Sequence, residues 1–436
     1  MGNRRLLPMG LNLFDGHPAL EVELPRMVPV RQKFDRTEVA DVAAELGESL
    51  DELDIPVAEG ARIAVAVGSR GVNQLQTVVR TTVDFLRSKG ARPFIVPAMG
   101  SHGGATAEGQ VELLAGYGVT EEGVGAPIEA TMEVEHIGVT PSGTNVFCDA
   151  LAAKADGIVV VNRVKPHTDF KAKHESGLVK MLAIGIGKQH GAAEYHERGF
   201  AMFGDLLPQV AEVMIDRLPV LFGVATVENA YDHVRHVEAV PGRDIVTREA
   251  ELLVLAKESM GALLPSGLDL LVVDELGKNI SGAGMDPNVT GRSLTGLAGF
   301  PDSVAKRVAA LSVTPDSHGN STGMGAADVI SKRLLDEVDF SHVYMNGITS
   351  RCIEASRVPM VGSDDRAAIT IGLAAISGQG PTGPRVAHIR STLHLDLIEV
   401  SENLLDEVRA HSDLEIAGEA ADWEFDASGT LQSRLY

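Results

Sequence analysis

Short runs of consecutive apolar residues alternate with segments of helical spacing along much of the chain. Arg62–Gly71 reads RIAVAVGSRG, a β-branched strand that ends in a glycine-flanked loop. In the segment that follows, Val72, Leu75, Val79, Val83 and Leu86 fall on one face of a helix, and Gly90 is its stop. Pro93–Pro97 reads as the next strand, then the loop AMGSHGGAT, then a helix over Ala107–Ala115 capped by Thr106. Ile158–Val161 is a third strand, leading into VNRVKPH. Gly261–Gly267 has the character of a linker, and a second series begins behind it. That series has a strand from Leu268, a polar glycine-rich loop Gly277–Arg292 and a strand over Arg307–Thr314. A helix within Gly323–Val338 follows, and a final strand and helix start at Leu397.

Continuous apolar strands alternating with helices predict an α/β fold with mostly parallel sheets covered on both faces. The length suits two such domains. We expect residues 1–265 to form a cofactor-binding and catalytic domain and 266–410 a second α/β domain. Residues 411–436 would form a segment packing back on the first, with the active site in the cleft between domains. Right-handed crossovers bring all strand-to-helix loops to one sheet edge, where ligands of open α/β sheets bind. The loops meeting there carry Arg70, His102 and His167.

Charge changes the picture. Lys and Arg number 38 against 60 Asp and Glu, a net charge of −22. Such a field repels nucleic acid and anionic lipid, so neither is an expected partner. No apolar run is long enough to span a bilayer, and the N-terminal residues do not read as a signal peptide. Two distant cysteines, Cys148 and Cys352, fit a reducing compartment, and we expect a cytoplasmic protein, oligomeric or not.

Against this acidic background, Val161–Phe200 gathers His167, His174, His190 and His196 with Lys165, Lys171, Lys173, Lys180 and Lys188. A local cluster of this kind is what a small anionic ligand needs. His102 lies on a glycine-rich turn before a helix, where backbone N–H groups face an anion, or else it is a solvated loop residue. His167 follows a strand and a proline. Two histidines on neighbouring strand ends can act as paired acid and base. Arg70 and Arg292 suit a carboxylate. His190 and His196 are six residues apart and form no simple helical metal clip, though one of them can complete a site supplied mostly by a cofactor. His174 reads as solvated. Lys180 is either a snorkelling surface residue or a partly desolvated amine able to attack an electrophile. GIGKQHG lacks the spacing of a phosphate loop, and no HExxH or nucleophile elbow is present.

The ordered set GSRG, GSHGGAT, KPHTDF, SGLVKML, GKQHGAAEYH and GMDPNVTGR resembles the nickel-dependent lactate racemases and their 2-hydroxy-acid racemase and epimerase relatives. The resemblance implies a nickel-pincer nucleotide as cofactor and a small anionic 2-hydroxy acid as substrate. It implies that His102 and His167 are acid and base on opposite faces of the substrate. Lys180 would match the cofactor tether, and His196 the nickel ligand, with His190 as the alternative. Ser69, Arg70 and Lys188 would contact the cofactor. Arg70, Arg292 and Asn288 would hold the substrate, Arg292 in place of a second-domain lysine. The implied reaction is proton-coupled hydride transfer to and from the cofactor through a planar 2-keto acid.

The match differs in detail: Gly103 stands where the lactate racemases have arginine, and the tether motif reads Gly177-Leu178-Val179-Lys180. Lys165, Lys171 and Lys173 point to a larger or more anionic substrate than lactate. Two competing readings are a metal-dependent hydrolase or lyase using His102 and His167 with Asp169, and a non-catalytic cofactor-binding protein.

Overall fold

The computed structural model describes residues 21–68, 71–377 and 382–436. Its strands, in chain order, are β1 (Met27–Gln32), β2 (Arg62–Val67), β3 (Arg92–Pro97), β4 (Val134–Val139), β5 (Asn145–Asp149), β6 (Gly157–Arg163), β7 (Val220–Glu228) and β8 (Val234–Pro241). They continue as β9 (Leu268–Leu276), β10 (Ala305–Val313), β11 (Val329–Ser331), β12 (Met360–Gly362), β13 (Val386–Ile389), β14 (Leu397–Ser401) and β15 (Leu414–Ile416). Contacts divide the chain into two units. The first is Asp35–Met260 with Leu297–Gly299. The second holds the residues up to Phe34, Gly261–Gly296 and Phe300–Tyr436.

The first unit is built on a sheet of order β3-β2-β6-β7-β8. Its first four strands are parallel and β8 returns antiparallel on β7. The expected strands at Arg62, Pro93 and Ile158 are therefore neighbours. All but the first residue of β2 and of β3 is buried, as befits strands covered on both faces. Helix Leu75–Ser88 buries Leu75, Val78, Val79, Val83 and Leu86. It starts at Leu75 rather than Val72, because Gln74 takes a left-handed conformation (φ 56°) that a helix interior excludes. Gly90, at φ 85°, ends it. Helix Ala107–Gly116 is capped by the Thr106 hydroxyl, which accepts from the Gly109 N–H.

The second unit has an eight-stranded sheet of order β12-β11-β10-β9-β13-β14-β1-β15. Strands β12 to β13 are parallel, and β14, β1 and β15 are antiparallel additions. Two expectations change here. Residues 27–32 were read within the first domain, yet β1 pairs with β14 and β15 in the other unit's sheet. Residues 411–436 likewise pack within that unit: β15 pairs with β1, and Leu431, Trp423 and Phe425 join a core cluster with Leu270 and Val272. The single helix expected over Gly323–Val338 is instead a short turn, strand β11 and a helix Lys332–Glu337. Val329 and Ile330 are β-branched and pair with Ala309 and Ala310, so sheet pairing overrides the helical spacing.

Candidate functional site

The order β3-β2-β6 brings three loops to one carboxyl edge of the first unit's sheet. His102 follows β3 and His167 follows β6, with Gly68 and Gly71 on the loop from β2 between them. Strand ends two positions apart in a sheet are separated by about 10 Å, room for a small molecule. Ser69 and Arg70, expected in that middle loop, lie outside the described residues.

His167 is held on all sides. It is 8% exposed. Its backbone N–H donates to Glu175 Oε2 at 2.7 Å, and its ring lies 4.5 Å from the Phe170 ring. Nδ1 accepts from the Asp169 N–H at 3.0 Å, and Nε2 lies 2.7 Å from Lys180 Nζ. Because Nδ1 faces a donor, the proton of a neutral imidazole sits on Nε2. Lys180 Nζ and His167 Nε2 thus stand at hydrogen-bond distance, with the amine beside the ring.

The Lys180 backbone is fixed equally closely. Asn162, at the end of β6, donates to the Gly177 carbonyl at 2.9 Å. The Val179 N–H donates to buried Glu249 at 2.7 Å. The short helix Leu178–Lys180 then opens into a π turn over Met181–Gly185, a feature frequent at functional sites. Gly185 is needed there, since a Cβ would stand 2.8 Å from the Ala98 carbonyl. The Gly100 N–H donates to Gly185 O at 3.1 Å, which ties the π turn to the His102 loop.

His196 ends the helix Lys188–His196 and meets the Phe200 ring edge-on at 5.5 Å. Phe200 is also 6.1 Å from the His167 ring, so one aromatic side chain touches both imidazoles. Burial, and after it the charge of Lys180, lowers the His196 pKa to about 4. His196 is thus a neutral imidazole at neutral pH, the form that binds a metal. His190 packs on Phe147 at 4.4 Å instead.

His102 is exposed on its turn, where Gly103, Gly104 and Ala105 all have positive φ (63°, 65° and 55°). A Cβ at residue 103 would lie 2.6 Å from Gln110 N. A glycine at residue 103 is therefore dictated by the backbone of this turn.

Three expected site residues have other work. Lys188 is fully buried. Its ammonium donates to Pro97 O and to Gln110 Oε1 at 3.1 Å and pairs with Asp149 at 3.1 Å. Two hydrogen bonds and an ion pair within the protein commit this buried side chain. Arg292 stands at the amino end of β10, opposite the edge where parallel sheets bind ligands. Its guanidinium binds Ser303 Oγ at 2.9 Å, Ala305 O at 3.2 Å, Lys306 O at 3.0 Å and Asp328 at 2.9 Å. Asn288 lies in the turn that Asp286 caps, its Nδ2 donating to Asp286 Oδ1 at 2.8 Å. Substituting Arg292 with alanine is expected to cost about 1–3 kcal/mol of stability and to leave the KM for a hydroxy acid unchanged. Urea unfolding and steady-state kinetics separate the two.

Sequence reading also missed residues. Lys278 lies just past the carboxyl end of β9. Its ammonium donates to Gly282 O at 2.6 Å. His174, read as solvated, is 3% exposed and 3.7 Å from Glu249. Lys171, one of the cations taken to favour a larger anion, donates to His167 O at 2.9 Å and to Glu175 at 3.0 Å. Among the described residues no three His, Cys, Asp or Glu side chains converge on a metal position. No described helix is long and apolar enough to cross a membrane.

The chain is similar in fold to the lactate racemase apoprotein from Thermoanaerobacterium thermosaccharolyticum. The TM-score is 0.53 and the identity 13%, over 85% of this chain and 99% of that one. No curated protein matches the chain. Residues 21–203, which contain His102, His167, Lys180 and His196, match the family model of the lactate racemase N-terminal domain.

Proposed function

We propose that the protein is a racemase or epimerase of a 2-hydroxy acid that works with a nickel-pincer nucleotide. The observation that carries the reading is the 2.7 Å pair of His167 Nε2 and Lys180 Nζ, one phenylalanine away from a neutral His196, inside the family-matched region.

Lys180 would hold the cofactor through its amine and His196 would ligate its nickel. The bound cofactor would supply a hydride acceptor and donor. His167 and His102, on either side of the β2 loop, would move the hydroxyl proton, one removing it and the other returning it on the opposite face. Burial of His167 keeps water from its ring, which a reactive keto acid requires. With Lys171 committed to Glu175, the support for a dicarboxylic substrate is reduced to Lys165 and Lys173. A metal-dependent hydrolase would need a carboxylate beside the histidines. His167 Nδ1 is instead taken by the Asp169 N–H, with the Asp169 carboxylate 3.6 Å away.

The test is intact mass and nickel content of protein produced together with the enzymes that make the cofactor. Stoichiometric nickel and a mass increase that survives denaturation are expected. Lys180→Arg should abolish the mass increase while leaving the thermal midpoint near that of the parent. Absence of both nickel and nucleotide, in a host that loads a lactate racemase, would overturn the reading.

A further inference from the structure

Helix Ile245–Ser259 lies outside the family-matched residues, yet it supplies anchors to both halves of the His167–Lys180 pair. Glu249 on this helix is 1% exposed and receives the Val179 N–H, one residue before Lys180. Two turns further along, Lys257 reaches Glu175 Oε1 at 2.7 Å. Glu175 has no exposed side-chain surface and is the hub of the His167 loop. Its Oε2 accepts from His167 N at 2.7 Å and from Lys171 Nζ at 3.0 Å, and its Oε1 accepts from Ala172 N at 3.3 Å.

A buried carboxylate is stable only when paired and hydrogen-bonded. Here two ammonium groups and two backbone amides meet that need, and the same bonds leave the loop one geometry. Lys171 closes the loop on itself by also binding His167 O at 2.9 Å. The loop touches the helix through the Glu175–Lys257 pair, and the Lys180 segment touches it through Glu249.

We infer that Glu175, tethered by Lys257, is a positioning residue that fixes His167 relative to Lys180. Resting on the racemase reading for its catalytic consequence, the inference concerns a contact that exists in the chain with or without turnover. Glu175 does not touch the reacting atoms. It sets the loop so that Nε2 and Nζ stand at hydrogen-bond distance, and a small misplacement there is costly, since about 1 Å can cost 10²-fold.

The experiment uses the full chain with Lys257→Met and Glu175→Gln. Lys257 is 43% exposed, so its substitution removes the tether without opening the core. Amide exchange of residues 167–176 is expected to rise at least about tenfold in both variants, as local opening becomes easier. The imidazole ¹⁵N spectrum of His167 should change from a single Nε2–H tautomer to a mixture. In the cofactor-loaded enzyme, kcat should fall about 10- to 100-fold with KM unchanged, and Glu175→Asp should restore part of it. Unaltered exchange and an unaltered His167 spectrum in both variants would overturn the inference. Looser exchange in a wild-type background that turns over no hydroxy acid would sink the racemase reading and leave the positioning role standing.

Discussion

Replacing His167 with asparagine is expected to lower the interconversion of hydroxy-acid enantiomers by about 10²- to 10⁴-fold, the usual worth of a general acid–base. The loss should appear in kcat, because the ring's contribution is made to a proton in flight and not to the resting substrate. Two features of the structure sharpen the expectation. Nδ1 is committed to the Asp169 N–H at 3.0 Å, so only Nε2 can face a substrate. Nε2 faces Lys180 Nζ at 2.7 Å, so a cofactor held by Lys180 would lie beside the ring. His102→Asn should cost less in stability, because that residue is exposed on its turn. Chiral chromatography of the product, with nickel content as the loading control, decides the matter. A His167→Asn enzyme within tenfold of the parent would remove His167 from the mechanism.

The second large effect concerns stability, in the second unit. His388 is fully buried on β13 between Asp274 on β9 (2.6 Å) and Glu399 on β14 (2.8 Å), with Arg434 on the far side of Glu399. Burial alone would strip its proton. The charges of Asp274 and then Glu399 outweigh that and raise the pKa from 6.5 to about 9. His388→Leu is expected to cost about 3–5 kcal/mol, because Asp274 loses its partner inside the protein. The pH dependence has a definite sign. A group with a raised folded pKa binds its proton more tightly when folded. Its contribution is fully present below pH 6.5 and is lost as pH climbs through about 9. The size is of order 3 kcal/mol. Urea unfolding between pH 6 and pH 10 should show this decline in the parent and a flatter profile in His388→Leu. Equal slopes would show that the triad does not hold its proton on His388.

The parts of the fold that were legible in the sequence share one property. β2, β3, β6, β9 and β10 are apolar runs buried on both faces, so their identity follows from composition alone. Strands β1 and β15 pair with partners hundreds of residues away, which no local pattern encodes. The histidines at the ends of β3 and β6 were legible because strand direction in a parallel sheet is fixed by handed crossovers. Arg292 was misread for a related reason. Its spacing to Gly277 revealed a loop but not that the loop returns to the amino end of β10. Lys188 and Lys171 were read as cations for a ligand because sequence shows charge and not the carboxylate or carbonyl that absorbs it.

By itself, then, the sequence determined an α/β fold, a net charge of −22, and a segment that gathers histidines and lysines against that acidic background. It also carried the family resemblance, through the spacing of His102, His167, Lys180 and His196. Only the tertiary structure decided which of those side chains are available for chemistry. A side chain's protonation state depends on what surrounds it. Asp169 N–H fixes the proton of His167, burial neutralises His196, and Glu175 and Asp149 take Lys171 and Lys188 out of the site. Those partners lie between two and several tens of residues away in the chain, and they meet only when the sheet edge is formed.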